Sequence, residues 1–286
     1  MLSWQTSRRT IALGRPLVMG ILNVTPDSFS DGGRFNAPDA ASRRIEQMIA
    51  DGADIIDIGG ESTRPGSEQV DADEEIRRVI PAIGSALHFD VPVSVDTSKS
   101  SVARAAIDAG AEIINDISGL RFDGDMAAAA AETGAGLVLM HSRGDFADMH
   151  SQPAVANIFD EVCSGLTASV EKAEAAGIVS EKIVLDVGIG FGKTLEQNLE
   201  LLARHAGIAR GFDGIPFLIG VSRKSFIGKI LGDASPEKRL AGSLAAALYA
   251  VERGAAIVRT HDVKETADAL RIHHAISQSE PNSVRS

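Results

Sequence analysis

At 286 residues, with 44% apolar and 23% charged side chains, the chain has the balance of a soluble globular enzyme. It is long enough to bury a full core as one large α/β domain or two smaller ones. Twenty-eight basic residues against 39 acidic ones leave a net charge of −11, which argues against a nucleic-acid surface and requires any anionic substrate to be met by locally gathered cations. The longest apolar stretches are strand-sized, short of the ~20 residues a transmembrane helix needs, so no membrane partner is expected. The single cysteine, Cys163, allows no internal disulfide and points to a reducing, cytoplasmic setting. It sits in a helical stretch with no paired base, which favours a packed thiol over a nucleophile.

Near the N-terminus, Ser7-Arg8-Arg9-Thr10-Ile11-Ala12-Leu13 resembles a twin-arginine signal, but Gly14-Arg15-Pro16 breaks the apolar run at once. The segment reads instead as a short hairpin closing the bottom of a barrel. Short β-branched runs then alternate with helical patterns. The predicted strands cover 17–24, 54–59, 91–96, 112–117, 136–141, 182–187, 216–221 and 256–261, with helical patterns such as 39–51, 101–109 and 237–253 between them. Gly52, Gly110, Gly134, Gly177 and Gly254 each follow a helical pattern, where a C-cap is needed. Eight units of ~36 residues each match the βα repeat of a closed barrel better than a doubly wound sheet. No linker or composition shift divides the chain, so residues 1–286 are read as one (β/α)8 TIM-barrel domain with the hairpin beneath it.

In such a barrel the active site lies at the C-terminal strand ends, and there the apolar pattern breaks. The strand ends carry Asn23, then Asp57 to Glu61 leading into Ser62-Thr63-Arg64-Pro65-Gly66, then Asp96, Asn115-Asp116, Met140-His141 and Asp186. The last two carry Ser222-Arg223-Lys224-Ser225 and Arg259-Thr260-His261. A lone strand-end aspartate caps a loop about as often as it binds anything. Asp96, Asn115 and Asp186 on strands three, four and six instead suit a flat heterocycle with ring N–H and amino donors. Arg223, Lys224, Arg259 and His261 fall in the usual phosphate quarter of this fold, and in so acidic a chain they suit a diphosphate.

Two glycine-rich loops complete the picture. Val187-Gly188-Ile189-Gly190-Phe191-Gly192-Lys193-Thr194 looks like a Walker A loop but has Val187 where the motif's first glycine belongs, so an ATP site is rejected. Its glycines let backbone approach a flat ligand beside Phe191. The loop 25–33 is long, polar and glycine-ended with Phe29 in its middle, the composition of a lid.

At these residues the sequence resembles the bacterial dihydropteroate synthases. The segments Gly20 to Gly33 and Asp57 to Gly66 look like that family's two signature loops. The likeness continues through Val95-Asp96-Thr97, Asn115 to Gly119, Gly190 to Thr194, Ser222 to Ser225 and Arg259-Thr260-His261, covering about residues 15–272. The resemblance implies a transferase of folate biosynthesis that condenses 6-hydroxymethyl-7,8-dihydropterin diphosphate with p-aminobenzoate, giving 7,8-dihydropteroate and diphosphate. It implies that Asp96, Asn115 and Asp186 hold the pterin edge, that Lys224 reaches the same pocket, and that Met140 and Phe191 line it. Arg259 and His261 would grip the diphosphate, and Asn23 would ligate Mg2+. Thr63, Arg64 and Pro65, with Phe29, Lys224 and Ser225, would frame the p-aminobenzoate site, the one sulfonamides contest. Asp96, Asp186, Lys224, Arg259 and His261 are thereby marked as the catalytic set.

The family usually has Pro where Val187 stands, and often Asp where Ala256 stands. The alternatives are a pterin-binding methyltransferase-like barrel, which needs no diphosphate grip, and a non-catalytic pterin-binding paralogue. The Ala-rich stretch 241–250 is a candidate homodimer face, although tight packing on a barrel would want the same composition.

Overall fold

The computed structural model describes residues 2–25, 37–62, 67–149 and 151–279. Two short strands, β1 (Ser3–Gln5) and β2 (Thr10–Ala12), pair antiparallel as a hairpin. Eight parallel strands follow: β3 (Leu17–Asn23), β4 (Ile55–Gly59), β5 (Val93–Asp96), β6 (Ile113–Asp116), β7 (Gly136–Met140), β8 (Ile183–Asp186), β9 (Phe217–Ile219) and β10 (Ala255–Thr260). They close into a barrel in the order β10-β3-β4-β5-β6-β7-β8-β9. The surrounding helices are α1 (Ala37–Ala50), α2 (Ala72–Ala86), α3 (Ser100–Asp108), α4 (Met126–Thr133), α5 (Ile158–Ala175), α6 (Leu195–Ala203), α7 (His205–Gly211), α8 (Ser225–Ile230), α9 (Leu240–Val251) and α10 (Val263–Gln278). All eight strands expected from the sequence are present, seven of them trimmed by a residue or two at their ends and the eighth, β10, shifted by one residue. The helix returns lie where the glycines placed them. Gly52, Gly110, Gly134, Gly177 and Gly254 all have positive φ, the conformation that ends a helix cheaply only without a Cβ.

Side chains alternate between the two faces of each strand, and this period of two builds the site. One face sends Leu17, Met19, Ile55, Ile113, Val138, Val184, Leu218 and Ile257 into a buried cluster inside the barrel. The other face sends Val18, Leu22, Ile56, Ile58, Val95, Ile114, Leu137, Leu139, Leu185, Ile219 and Val258 against the helices. Two residues further along the inner face the chemistry changes. Ile55 gives way to Asp57, Ile113 to Asn115, Val184 to Asp186 and Ile257 to Arg259, so a polar layer rests on an apolar floor.

The hairpin seals the opposite end. Trp4 is fully buried under the inner cluster, and its indole N–H donates to Lys182 O at 2.9 Å. Thr6 and Arg9 both bond the Glu112 carboxylate, at 2.8 and 2.9 Å. Arg9, half of the apparent export signal, is thus a structural ion-pairing residue of the barrel bottom. Cys163 lies in α5, half-buried, where burial pushes its thiol up and away from reactivity. Among the described residues no helix is long and apolar enough to cross a membrane.

Candidate active site

Parallel register sets the first part of the polar layer. Asn23 pairs across to Gly59, Gly59 to Asp96 and Asp96 to Asn115, so one row spans four neighbouring strands. Farther round the barrel Met140 stands opposite Asp186. With adjacent strands about 4.8 Å apart, this row runs about 14 Å, long enough to take a bicyclic ring system. Asp116, the neighbour of Asn115, faces away. Its carboxylate accepts the Ser118 and Leu120 backbone N–H groups, at 2.8 and 2.7 Å, and shapes the loop after β6.

Arg259 holds the centre. Its Nε donates to Asp57 Oδ2 and its Nη2 to Asp96 Oδ2, each at 2.6 Å. Asp57 Oδ2 also accepts from Asn115 Nδ2 at 3.1 Å, whereas Asp57 Oδ1 is buried with no hydrogen-bond partner among the described residues. Burial pushes the Asp96 carboxyl up to about 7. Arg259 pulls against that shift, while Asp57 and Glu75 add to it. Burial alone would lower the Arg259 guanidinium, but Asp57 and Asp96 override it and hold the group above its ordinary value. The sequence placed Asp57 at the polar end of the second strand but gave it no role of its own. Its signal was a charge at an inward position of an otherwise apolar run, Ile55-Ile56-Asp57-Ile58.

On the facing side, Asp186 is buried and its Oδ1 accepts the Gly188 N–H at 2.8 Å. Burial raises its carboxyl, with Gly188 and Lys224 opposing. Burial pulls the Lys224 ammonium down to about 8, although Asp186 favours its charge. Its Nζ lies 4.0 Å from the Phe191 ring centroid, a cation–π contact. Phe191 packs with Met140, Ile117 and Met149 into an apolar wall. Backbone crowding shapes the loop that carries Phe191. Gly188 has φ +68°, and a Cβ there would lie 1.9 Å from His141 O. Lys193, also unmarked by the sequence, fastens the loop by donating to His141 O (3.0 Å) and Phe191 O (2.9 Å). Val187 is fully buried in the outer core, and the turn forms with it in place.

The four expected cations divide. His261 pairs its Nδ1 with Ser222 Oγ at 3.1 Å. Arg223 does not join the mouth. It adopts φ +58° and its guanidinium is taken by Asp262, with Nε 3.0 Å from Oδ2. Ser225 is exposed at the first position of α8, next to Lys224. The structure therefore brings together Asp96, Asn115 and Arg259, and separately Asp186, Lys224, Phe191 and Met140. Asn23 lies at the rim, its Oδ1 3.6 Å from where a Gly59 Cβ would stand, and the Asp96 Cβ is equally close to that point. Phe29, Thr63, Arg64 and Pro65 lie outside the described residues.

The arrangement can bind a flat, donor-bearing ring between carboxylates, stack it near Phe191 and keep cations at hand for an anion. Comparison with known proteins agrees. The family model described as "Pterin binding enzyme" matches residues 19–261. The dihydropteroate synthase of Escherichia coli strain K12 is 47% identical over 274 residues, 96% of either chain. The solved structure of Xanthomonas albilineans dihydropteroate synthase with 4-aminobenzoic acid superposes with a TM-score of 0.91 at 44% identity, covering 98% of this chain and 99% of that one. That of the Burkholderia cenocepacia dihydropteroate synthase complexed with 7,8-dihydropteroate gives 0.89 at 44% identity, covering 97% of each.

Proposed function

The chain belongs to the pterin binding enzyme family, among the dihydropteroate synthases, and from that premise we propose how its residues divide the work of the reaction. The enzyme joins p-aminobenzoate to 6-hydroxymethyl-7,8-dihydropterin diphosphate. The exocyclic C–O bond to diphosphate breaks, a C–N bond to the arylamine forms, and the amine gives up a proton. No protein nucleophile is required. What the site supplies is charge placement and exclusion of water.

Asp96 and Asp186 accept hydrogen bonds from the ring N–H and amino groups of the pterin, with Asn115 completing the edge. Lys224 serves the acceptor side of the ring, and Met140 and Phe191 cover its faces. Two carboxylates flanking the heterocycle stabilise the positive charge that grows on it as diphosphate departs. Arg259 and His261 take up the leaving group's negative charge. The observation that carries this reading is the Arg259 bridge, because one guanidinium touches a pterin-side carboxylate while lying on the strand of the anion side. Arg259 thus links the two halves of the site instead of serving diphosphate alone.

Among the described residues there is no cluster of three His, Cys, Asp or Glu able to hold a metal. Mg2+ takes oxygen donors, and beside a phosphate substrate one or two protein oxygens would be enough to hold it. Asn23, an amide oxygen donor beside Asp96 at the mouth, fits that place. The ion would supply charge neutralisation to the departing diphosphate. Thr63, Arg64, Pro65 and Phe29, with Lys224 and Ser225, would frame p-aminobenzoate.

The reading is of a cytoplasmic enzyme, on the strength of its lone thiol, that pairs with a second copy of itself. The pairing face is the apolar groove among α6, α8 and α9, where Leu199, Ile230, Leu231 and Tyr249 are exposed. The direct test supplies both substrates and Mg2+ and follows dihydropteroate and diphosphate together. Pterin binding without turnover would favour the non-catalytic reading, and methyl transfer from a methylated pterin supplied in a parallel assay would favour the methyltransferase one.

A further inference from the structure

We propose that a second polar cavity beside the barrel mouth, distinct from the ring that faces the pterin, binds a phosphate-sized oxyanion. The cavity, of about 260 Å³, lies between the loops that follow β6 and β7 and the face of α5 that carries Glu161, Gly165 and Ser169. That volume is far above the ~10–15 Å³ a single water requires.

Its electrostatics select for an anion. Arg121 and Arg143 line it, and Lys193, whose ammonium burial pulls down to about 7, lies behind through its bond to His141 O. The one acid in the lining, Glu161, is already held by Arg143 Nε at 2.7 Å. Neither Arg121 nor Lys193 has a carboxylate partner among the described residues, in a chain whose net charge is −11.

The donors are fixed in place before any ligand arrives. Arg121 Nη2 donates to Ser142 Oγ (2.8 Å) and Gly144 O (3.1 Å), and its Nε to Ser118 O (3.2 Å). Arg143 Nη1 is anchored on Pro153 O (2.6 Å) and Gly192 O (2.8 Å). In each guanidinium one terminal nitrogen stays uncommitted among the described residues, so two planar forks with spare N–H groups border one cavity.

His141 supplies the second, independent observation. His141 borders the cavity and is buried, at 8% exposure, and its Nδ1 has no hydrogen-bond partner among the described residues. Burial, with Lys193, Arg121 and Arg143 around it, keeps this imidazole neutral. A neutral ring can present Nδ1–H, and an oxyanion oxygen is the acceptor that would satisfy it. A cation would meet the Arg121 and Arg143 guanidinium groups, and an apolar ligand would leave these donors unpaired.

Selenate soaked into crystals and located by anomalous scattering separates this site from the barrel mouth. The expected result is a selenium peak within hydrogen-bond reach of Arg121, Arg143 and His141, lost in Arg121→Met while any peak at Arg259 remains. Calorimetric titration with inorganic phosphate should give one fewer site per chain in Arg121→Met, or binding there at least tenfold weaker. Methyl phosphate in the same titration distinguishes sources, since tighter binding than phosphate would assign the site to an organic phosphate and weaker binding to the free ion. Because Arg121 ties down two loop carbonyls, Ser142→Ala provides a variant that spares the fold, with several-fold weaker binding expected. Selenate confined to the mouth, water alone in the cavity, or affinity unchanged in both variants would overturn the proposal.

Discussion

Replacing Arg259 by Met removes one cation from between two carboxylates that it touches at 2.6 Å each. Asp57 is fully buried and the Asp96 side chain is 13% exposed, so neither can turn to solvent. Breaking a buried pair in this way typically costs about 3–5 kcal/mol, since an uncompensated charge is left behind. Asp96 already titrates at about 7 with Arg259 beside it, so at neutral pH a proton can replace the lost cation at small cost. That places the loss near the lower bound, about 3 kcal/mol, or a fall in Tm of roughly 6–12 °C for a chain of this size. The proton then occupies the acceptor that the pterin needs. A pterin without diphosphate should bind Arg259→Met at least tenfold more weakly at pH 7, and raising the pH should restore part of that affinity. Adding Asp57→Asn, which removes the second carboxylate, should recover most of the lost stability. Calorimetric titration of the bare pterin and thermal unfolding across pH 6–9 measure both effects. If Arg259→Met weakens only the diphosphate substrate and leaves bare-pterin affinity and Tm unchanged, Arg259 is an anion grip alone and the bridging argument is wrong.

Other consequences follow from the same geometry. Bare-pterin affinity should rise as pH climbs through about 7, where Asp96 ionises, and fall above about 8, where Lys224 loses its proton. A plateau from pH 5 to 10, followed by fluorescence titration, would contradict both assignments. The sign for stability is opposite: native Asp96 keeps a proton that the unfolded chain has released, so its contribution falls as pH rises from about 4 to about 7. Gly188→Ala should displace the loop bearing Phe191 and cut affinity for pterin, because its Cβ would lie 1.9 Å from His141 O at φ +68°. Steady-state kinetics would register this as a raised KM for the pterin substrate. Trp4→Ala should lower stability by about 3–5 kcal/mol in denaturant unfolding, with KM for both substrates unchanged, since the hairpin lies at the far end of the barrel. Chelating Mg2+ should abolish diphosphate release in a coupled assay while leaving bare-pterin binding intact.

The barrel was legible because short β-branched apolar runs and C-capping glycines are local signals, the runs recurring in all eight units and the glycines at five of the helix ends. Asp96, Asn115 and Asp186 were legible as polar strand ends for a like reason, since each stands where an apolar strand pattern breaks. What the sequence concealed was pairing across the barrel. Asp57 and Arg259 are 202 residues apart and meet only when β4 and β10 flank β3. Nothing local distinguishes Arg259, which bridges two carboxylates, from Arg223, which Asp262 draws aside. The glycine-rich loop's fastening by Lys193 was hidden likewise, because its acceptors are backbone carbonyls, one of them 52 residues away.

If one barrel mouth both holds the pterin and couples the departure of diphosphate to C–N bond formation, the two products must appear together. Rapid-quench measurement of a single turnover, with enzyme in excess over dihydropterin diphosphate and p-aminobenzoate saturating, reads this out. Dihydropteroate and diphosphate should form in equal amounts in the wild type, with Asp96→Asn binding pterin weakly and forming neither. Product formation at the wild-type rate by Asp96→Asn, or diphosphate released with no dihydropteroate, would contradict it.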